Sequence, residues 1–471
     1  MRSAPNRFAT LPRLPLAILA ATVSIVIVGR LVVALQPPHV AIPEIVPQAV
    51  GDQGGDASAQ LDPLTPAGVA PSSADLERIR ANITFWGGKL TADGRDFVSA
   101  SRLAGSQIEL ARATGDLGAY LAANDVIDQA LAAYPDYGPA RDYHGVILVA
   151  LHHFTDARAF ATTVLSDDPK DAAALATLGD ATLELGDVAA ATTAYTALAG
   201  VADGAAARVR ESHLAFIEGR TADAVALSRS ALDAAKAEGA VASGLAWYDY
   251  QLGDTLIATG DRTGAAAAYA DALAADPTSH LAHWGMARIA AADGHIDEAI
   301  AQLDAAIAVV PLPEFVARRA DLYALRGADG DAKREVADRK TVLAIAQLSG
   351  GASGVYDRTL SLYLSNTKID PARALTLAQA EIAVRKDVYG YDALAWALLA
   401  NGRPADADAA MQTALAFGTR DAKLLYHAGM ISAAVGDASR ARTQLSDALA
   451  LDASFDPMGA QRARDTLSTL P

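Results

Sequence analysis

His280 and His283 stand three residues apart, on one face of any helix that carries them, and His295 follows at the next turn. An imidazole pair at that spacing binds a divalent metal when a carboxylate completes it. It equally suits a His280 near a helix start and a His283 packed between helices, and we assign no metal to it. His152 and His153 occupy another turn, where solvated side chains are expected. The chain has no cysteine, so disulfides, thiolate zinc sites, iron–sulfur clusters and cysteine nucleophiles are excluded. It also lacks a phosphate-binding Gly-rich loop with a following Lys, an H-E-x-x-H helix, a G-x-S-x-G elbow and a D-x-D-x-D-G calcium loop. The reading is a non-enzymatic chain with no catalytic residue and no cofactor.

Composition bounds what such a chain does. Of 471 residues, 52% are hydrophobic and 20% charged, which is a folding composition. With 39 basic and 55 acidic residues the net charge is −16, so a nucleic-acid partner is not expected.

Residues 1–13 carry Arg2, Arg7 and Arg13, and 14–35 are apolar except for Arg30. That run is long enough to cross a bilayer, and Arg30 lies near its far end, where a long side chain reaches the headgroups. After Arg30 no Lys or Arg occurs before Arg78. The charge asymmetry places residues 1–13 in the cytoplasm and all that follows 14–35 across the membrane. The segment acts as a signal anchor, or as a signal peptide cut after Val32-Val33-Ala34, in which case the rest is secreted. Residues 36–73 interleave Pro with Gly, a composition for an extended, mobile linker.

The remainder, 74–467, is repetitive. Pro135 to Pro169 and Pro277 to Pro311 are each 34 residues, as are Gly260 to Gly294 and Gly402 to Gly436. Within Trp247–Pro277, Leu252, Gly253 and Leu256 form one face of a first helix, and Gly260 ends it. Ala265, Tyr269 and Ala272 lie at i, i+4 and i+7 of a second helix, which Asp276-Pro277 stops. Each hairpin leaves an apolar face that the next covers. Ten such units have mid-repeat turns near Gly115, His152, Gly186, Gly219, Gly260, Gly294, Gly327, Ile369, Gly402 and Gly436, after a capping half-unit near Leu76–Lys89. The wider spacings, 41 from Gly219 to Gly260 and 42 from Gly327 to Ile369, predict longer connections that divide the array into three blocks. The glycine cluster after Ser349 is the expected hinge.

This pattern resembles the tetratricopeptide repeat. Leu178-Gly179, Gly186, Ala191 and Tyr195 match it, as do Leu252-Gly253, Gly260, Ala265, Tyr269, Ala272 and Pro277, and Gly429, Gly436, Ala441, Leu445 and Ala448. The resemblance implies an all-α fold, a right-handed α-solenoid of about ten helix hairpins preceded by the N-terminal transmembrane or signal helix. The segment from Tyr389 onward is similar to the C-terminal part of a bacterial group of envelope repeat proteins. That likeness implies an inner-membrane protein with a periplasmic solenoid.

The resemblance also implies a groove. Positions 2, 5, 9 and 12 of each first helix line the concave face in the family. Here they supply Trp247, Tyr250, Asp254, Trp284, Arg288, Asp321, Tyr356, Tyr363, Tyr389, Asp392, Trp396 and Tyr426, with Lys423 beside the last. Earlier units offer Ala173, Ala176, Asp180, Ala206 and Val209. Aromatics that gather on one stripe, with an Asp recurring at one register, suit an extended peptide or a partner's helix. They also suit a packed interior. The expected function is an envelope scaffold that holds a partner polypeptide in this groove. The alternative is a metal or small-solute accessory protein for an envelope transporter, told apart by calorimetry.

Overall fold

A computed structural model of the chain describes residues 75–349, 355 and 357–471. The expected span at 14–35, the linker at 36–73, residues 350–354 of the glycine cluster and Tyr356 lie outside the described residues. Among the described residues no helix is long and apolar enough to cross a membrane, and all regular structure is helical.

Helix α1 (Leu76–Ala92) precedes ten hairpins. The first five are α2 (Phe97–Thr114) with α3 (Leu117–Ala133), α4 (Gly138–Ala150) with α5 (Phe154–Asp167), α6 (Ala172–Glu184) with α7 (Val188–Val201), α8 (Ala205–Ile217) with α9 (Thr221–Ala237), and α10 (Ala242–Ala258) with α11 (Arg262–Ala275). The second five are α12 (His280–Ala292) with α13 (Ile296–Val309), α14 (Pro313–Arg326) with α15 (Asp331–Ser349), α16 (Asp357–Thr367) with α17 (Pro371–Val384), α18 (Val388–Ala400) with α19 (Pro404–Leu415), and α20 (Ala422–Ala434) with α21 (Ala438–Leu451). A last helix, α22 (Pro457–Thr469), covers the end.

Local chemistry sets these boundaries. An Asp stands before many of the helices and accepts from a backbone N–H of the first turn. Asp171 takes Ala174 N–H at 2.8 Å, Asp187 takes Ala190 at 3.0 Å, Asp421 takes Leu424 at 2.8 Å and Asp437 takes Arg440 at 3.0 Å. Each such cap contributes about 1 kcal/mol, so part of the acidic excess is spent on helix starts. Turns between paired helices are left-handed, at glycine in eight hairpins and at His152 (φ 61°) and Lys368 (φ 55°) in the other two. The turn expected at Ile369 is therefore made by its neighbour. Lys368 carries there the left-handed penalty of about 1–2 kcal/mol that a glycine would avoid.

Between Gly219 and Gly260 the extra residues lengthen the helices rather than the connection. Both α9 and α10 have 17 residues, and only 238–241 join them. The expected long connection is thus corrected: Ala- and Leu-rich sequence prefers to add helical turns.

In three hairpins the first helix approaches the second through a glycine. The Tyr269 ring fills the space where a Gly253 side chain would stand and also presses on Gly285, and it is fully buried. Tyr195 does the same against Gly179, and Leu445 against Gly429.

The solenoid also closes on itself, which the repeat pattern does not disclose. The turn of hairpin n meets the loop before hairpin n+6. Gly186 lies against the Lys386 carbonyl, Gly219 against the Gly418 carbonyl, Gly260 against the Leu451 carbonyl and Gly115 against Val310. Lys386 N–H donates to Glu184 O at 2.9 Å, and Thr419 Oγ1 to Ile217 O at 2.6 Å. Arg385 bridges Glu184 at 2.6 Å. One apolar cluster joins Leu183, Leu214 and Ile217 of the first coil to Val388, Leu398 and Leu424 of the second. At Gly294, Gly327, Gly402 and Gly436, turns with no coil beyond them, an added Cβ meets nothing.

That contrast is testable. Gly402→Ala bears only the left-handed backbone penalty of about 1–2 kcal/mol. Gly219→Ala carries that penalty plus the clash with Gly418, for a total of about 3 kcal/mol or more in urea unfolding. Equal losses for the two variants would show that the coils do not touch.

His152 sits in the same seam and is not solvated as expected. Its ring stacks on Phe154 at 5.2 Å between centroids, over which Arg385 also lies. Burial, helped by Arg385 and Arg358, holds its pKa down to about 3. Unfolding restores a value near 6.5, so below that pH the unfolded chain binds a proton that the folded chain refuses. Stability therefore falls as pH drops from about 6.5 toward 3. His152→Asn keeps a residue that tolerates left-handed backbone. The expected result is a shallower decline of the urea midpoint with acid; a slope equal to wild type would mean that His152 titrates as a free side chain.

Candidate functional site

The inner wall of the coil is made mainly by the first helix of each hairpin, and it encloses two cavities. The upper one, about 530 Å³, is lined by Asp180, Arg210, His213, Trp247, Asp254 and Arg288 of the first coil, with Tyr389 and Asp421 reaching in from the second. The lower one, about 590 Å³, lies among α12, α14, α16, α20 and α22.

A ladder of alternating charge runs along this wall. Asp180 accepts Tyr195 Oη at 2.8 Å and Arg210 Nε and Nη2 at 2.8 and 3.0 Å. Two hairpins later the arrangement recurs. Asp254 accepts Tyr250 Oη and Tyr269 Oη, both at 2.8 Å, and Arg288 Nη1 at 2.5 Å. Asp392 pairs with His427 Nδ1 at 2.8 Å, and Trp396 stacks on that imidazole at 4.0 Å between centroids. Asp180 and Asp254 thus each take a tyrosine of their own hairpin and an arginine from a later one, and Asp392 takes the imidazole of the next hairpin.

The electrostatics follow from enclosure. Burial and the adjacent Asp254 raise the pKa of Tyr250 and of Tyr269 far above its ordinary value. Burial opposes the charge of Arg288, but Tyr269, Asp254 and Tyr250 more than offset it and hold its pKa above the usual arginine range. Burial also raises the carboxyl of Asp321 and that of Asp421. His213 presents its ring to the cavity and is exposed, yet protein surrounds it closely enough to depress its pKa through desolvation.

Against this geometry the stripe residues separate. Trp247 is 5% exposed and Tyr426 3%, and Tyr250, Tyr363, Asp392 and Trp396 are buried as well. Trp284, Asp254, Arg288, Asp321 and Tyr389 are half-buried and reach the lumen. Trp247, Asp254, Arg288 and Tyr389 meet in the upper cavity, and Trp284, Asp321, Tyr363 and Tyr426 in the lower. Tyr250, Asp392 and Trp396 line neither. Asp254 and Arg288, expected to bond a partner, bond each other.

Sequence reasoning missed Arg210, His213, Arg318, Asp421 and Arg462. Arg210 had a signal, since Asp180 precedes it in the next hairpin as Asp254 precedes Arg288. His213 had one too, since it continues the stripe of Ala206 and Val209 at position 9 of α8, whereas Arg318 in the middle of α14, Asp421 before α20 and Arg462 in the covering helix lie outside the repeat register.

The histidine pair is occupied otherwise. His283 Nδ1 contacts Gln302 Oε1 at 2.7 Å and Nε2 the Pro277 carbonyl at 3.1 Å. Burial lowers the pKa of His280 to about 4. Among the described residues no group of three His, Cys, Asp or Glu side chains is placed to hold a metal.

The ladder is testable by a double-mutant cycle. Asp254→Asn and Arg288→Gln should couple by about 1.5–3 kcal/mol, the range for charged hydrogen bonds, in urea unfolding. Simple additivity would show that the two side chains do not meet.

A family model described as tetratricopeptide repeat matches residues 144–207 and 250–312. No curated protein matches the chain. Among solved structures, the APC/C hetero-tetramer Cut9-Hcn1 is 14% identical, with 84% of this chain and 94% of that chain covered and a TM-score of 0.31. A tetratricopeptide repeat protein from Parabacteroides merdae ATCC 43184 is 15% identical over 56% of this chain and 98% of that one, TM-score 0.31. The human IFIT1 dimer with PPP-AAAA is 13% identical over 82% and 96%, TM-score 0.43. Overlaps this loose bear on neither shape nor function.

Proposed function

Because the chain is a tetratricopeptide-repeat protein, we propose that it works as a non-enzymatic interaction scaffold of the bacterial cell envelope. Residues 14–35 hold it in the inner membrane, and the solenoid lies on the periplasmic side. The repeat match supports a protein-interaction scaffold. The flanking charge of Arg2, Arg7 and Arg13 supports the orientation. The partner is an extended polypeptide segment held in the lumen.

One observation carries the partner reading: large rings remain open in an enclosed lumen. Trp284 stacks on Phe315 at 5.2 Å yet keeps part of its surface free, and Tyr389 and His213 face the upper cavity. Open aromatic surface in a concave site gives contact area at small rotamer cost. The buried rings Trp247, Tyr250, Trp396 and Tyr426 stiffen the wall behind them, and the ladder fixes its charges. The metal-accessory reading loses its support at His283, whose two nitrogens are engaged.

A photo-crosslinking amino acid at Tyr389, in the full chain in its native membrane, should trap a second polypeptide. The same probe at Thr192, on the exposed face of α7, should not. Trp284→Ala should reduce the yield at Tyr389 several-fold while circular dichroism stays helical, since one anchor ring typically carries about 2 kcal/mol or more of such a contact. Equal trapping at the two positions would overturn lumen binding.

A further inference from the structure

The lower cavity has a chemistry that polypeptide capture does not use. Its floor is α22, tied across the coil by Arg318 of α14 to Asp456 at 3.1 Å. Arg339 in its wall reaches Asp321 at 3.3 Å and Glu335 at 2.8 Å. These contacts account for Arg318, Asp321 and Asp456. Two further cations of the lining, Lys423 and Arg462, make no ion pair among the described residues.

The wall behind them is rich in donors without acceptors. Arg339 Nη1, Tyr363 Oη and Tyr426 Oη are buried without a hydrogen-bond partner. Arg339 stands near Tyr363 and Arg462 near Tyr426, close enough to lower each phenol's pKa against the larger effect of burial. Each phenol oxygen faces its guanidinium as an acceptor, which leaves the hydroxyl hydrogen without a partner. Glu314 Oε2 is likewise unpartnered, and burial raises its pKa, which favours the protonated, donating form. Buried polar groups in native proteins nearly always find partners, so this concentration of orphans around one cavity calls for an acceptor. Trp284 supplies a flat apolar face on the same lining. The volume, about 590 Å³, is in the range of small-molecule sites.

We propose that this cavity binds a small organic anion, a carboxylate on a flat apolar body, with Lys423 and Arg462 holding the carboxylate and Trp284 facing the body. Asp321 and Asp456 do not repel it, because Arg339 and Arg318 neutralise them. The site shares Trp284 with polypeptide capture, but the cations that hold the carboxylate, Lys423 and Arg462, take no part in that reading.

The test is calorimetry on the full chain in detergent, against a micelle blank, with sodium benzoate and indole-3-acetate as probes. Benzylamine, of similar shape and opposite charge, is the control. Both carboxylates should bind and benzylamine should not. Lys423→Ala and Arg462→Ala should each weaken binding about tenfold, with melting and circular dichroism unchanged. Arg462 is exposed, so its variant remains informative should loss of Lys423 disturb α20. No heat from either carboxylate up to about 10 mM, affinity that survives both substitutions, or equal binding of benzylamine would each overturn the site. None of these outcomes touches crosslinking at Tyr389, so the two readings fail separately.

Discussion

The contact between a tyrosine ring and a glycine backbone organises the molecule. Tyr269 occupies the volume that a side chain at Gly253 would need and leans on Gly285 of the next hairpin. One ring therefore joins three helices, α10, α11 and α12. Its hydroxyl ends on Asp254, which also holds Arg288 of that next hairpin. Apolar packing and lumen electrostatics are thus fixed by one residue. A phenylalanine would pack as well but would leave a half-buried carboxylate one donor short. Tyr195, Gly179, Asp180 and Arg210 repeat the solution.

The ladder answers a cost that enclosure creates. Charges inside a closed coil lose part of their hydration, and unpaired they would destabilise it. Alternating Asp with Arg or His from one hairpin to the next leaves the wall polar but nearly neutral. That neutrality is local. Around the lower cavity the pairing runs out, and Lys423 and Arg462 remain. A surplus of one sign inside an otherwise balanced lumen distinguishes that end from the rest of the wall.

What the sequence disclosed was what short-range physics writes into it. The period shows because every hairpin needs a left-handed stop such as Gly186 or Gly260, and the clearest units add a small residue at Gly179 or Gly253 and a ring at Tyr195 or Tyr269. Those signals lie within one repeat. The turn at Lys368 was displaced by one residue because no glycine marks it. The length of α9 and α10 was misread because spacing alone does not say whether added residues join a helix or a loop. The stripe's register places its residues along the first helices, but register does not report exposure. Trp247 and Trp396 share the phase of Trp284, and only the neighbouring helices decide which ring is covered. The contact of Gly219 with Gly418 was illegible, since two glycines about 200 residues apart carry no side-chain pattern that pairs them.

That closure changes what the repeat architecture implies for dynamics. In an open solenoid each repeat touches only its neighbours, so stability is nearly a sum of local terms and ends fray independently. Here the turns of the first five hairpins rest on the second coil through Gly115, Gly186, Gly219 and Gly260, with His152 beside Arg385 in the same row. Fraying at either end must break contacts to the other, so the two coils are coupled in unfolding.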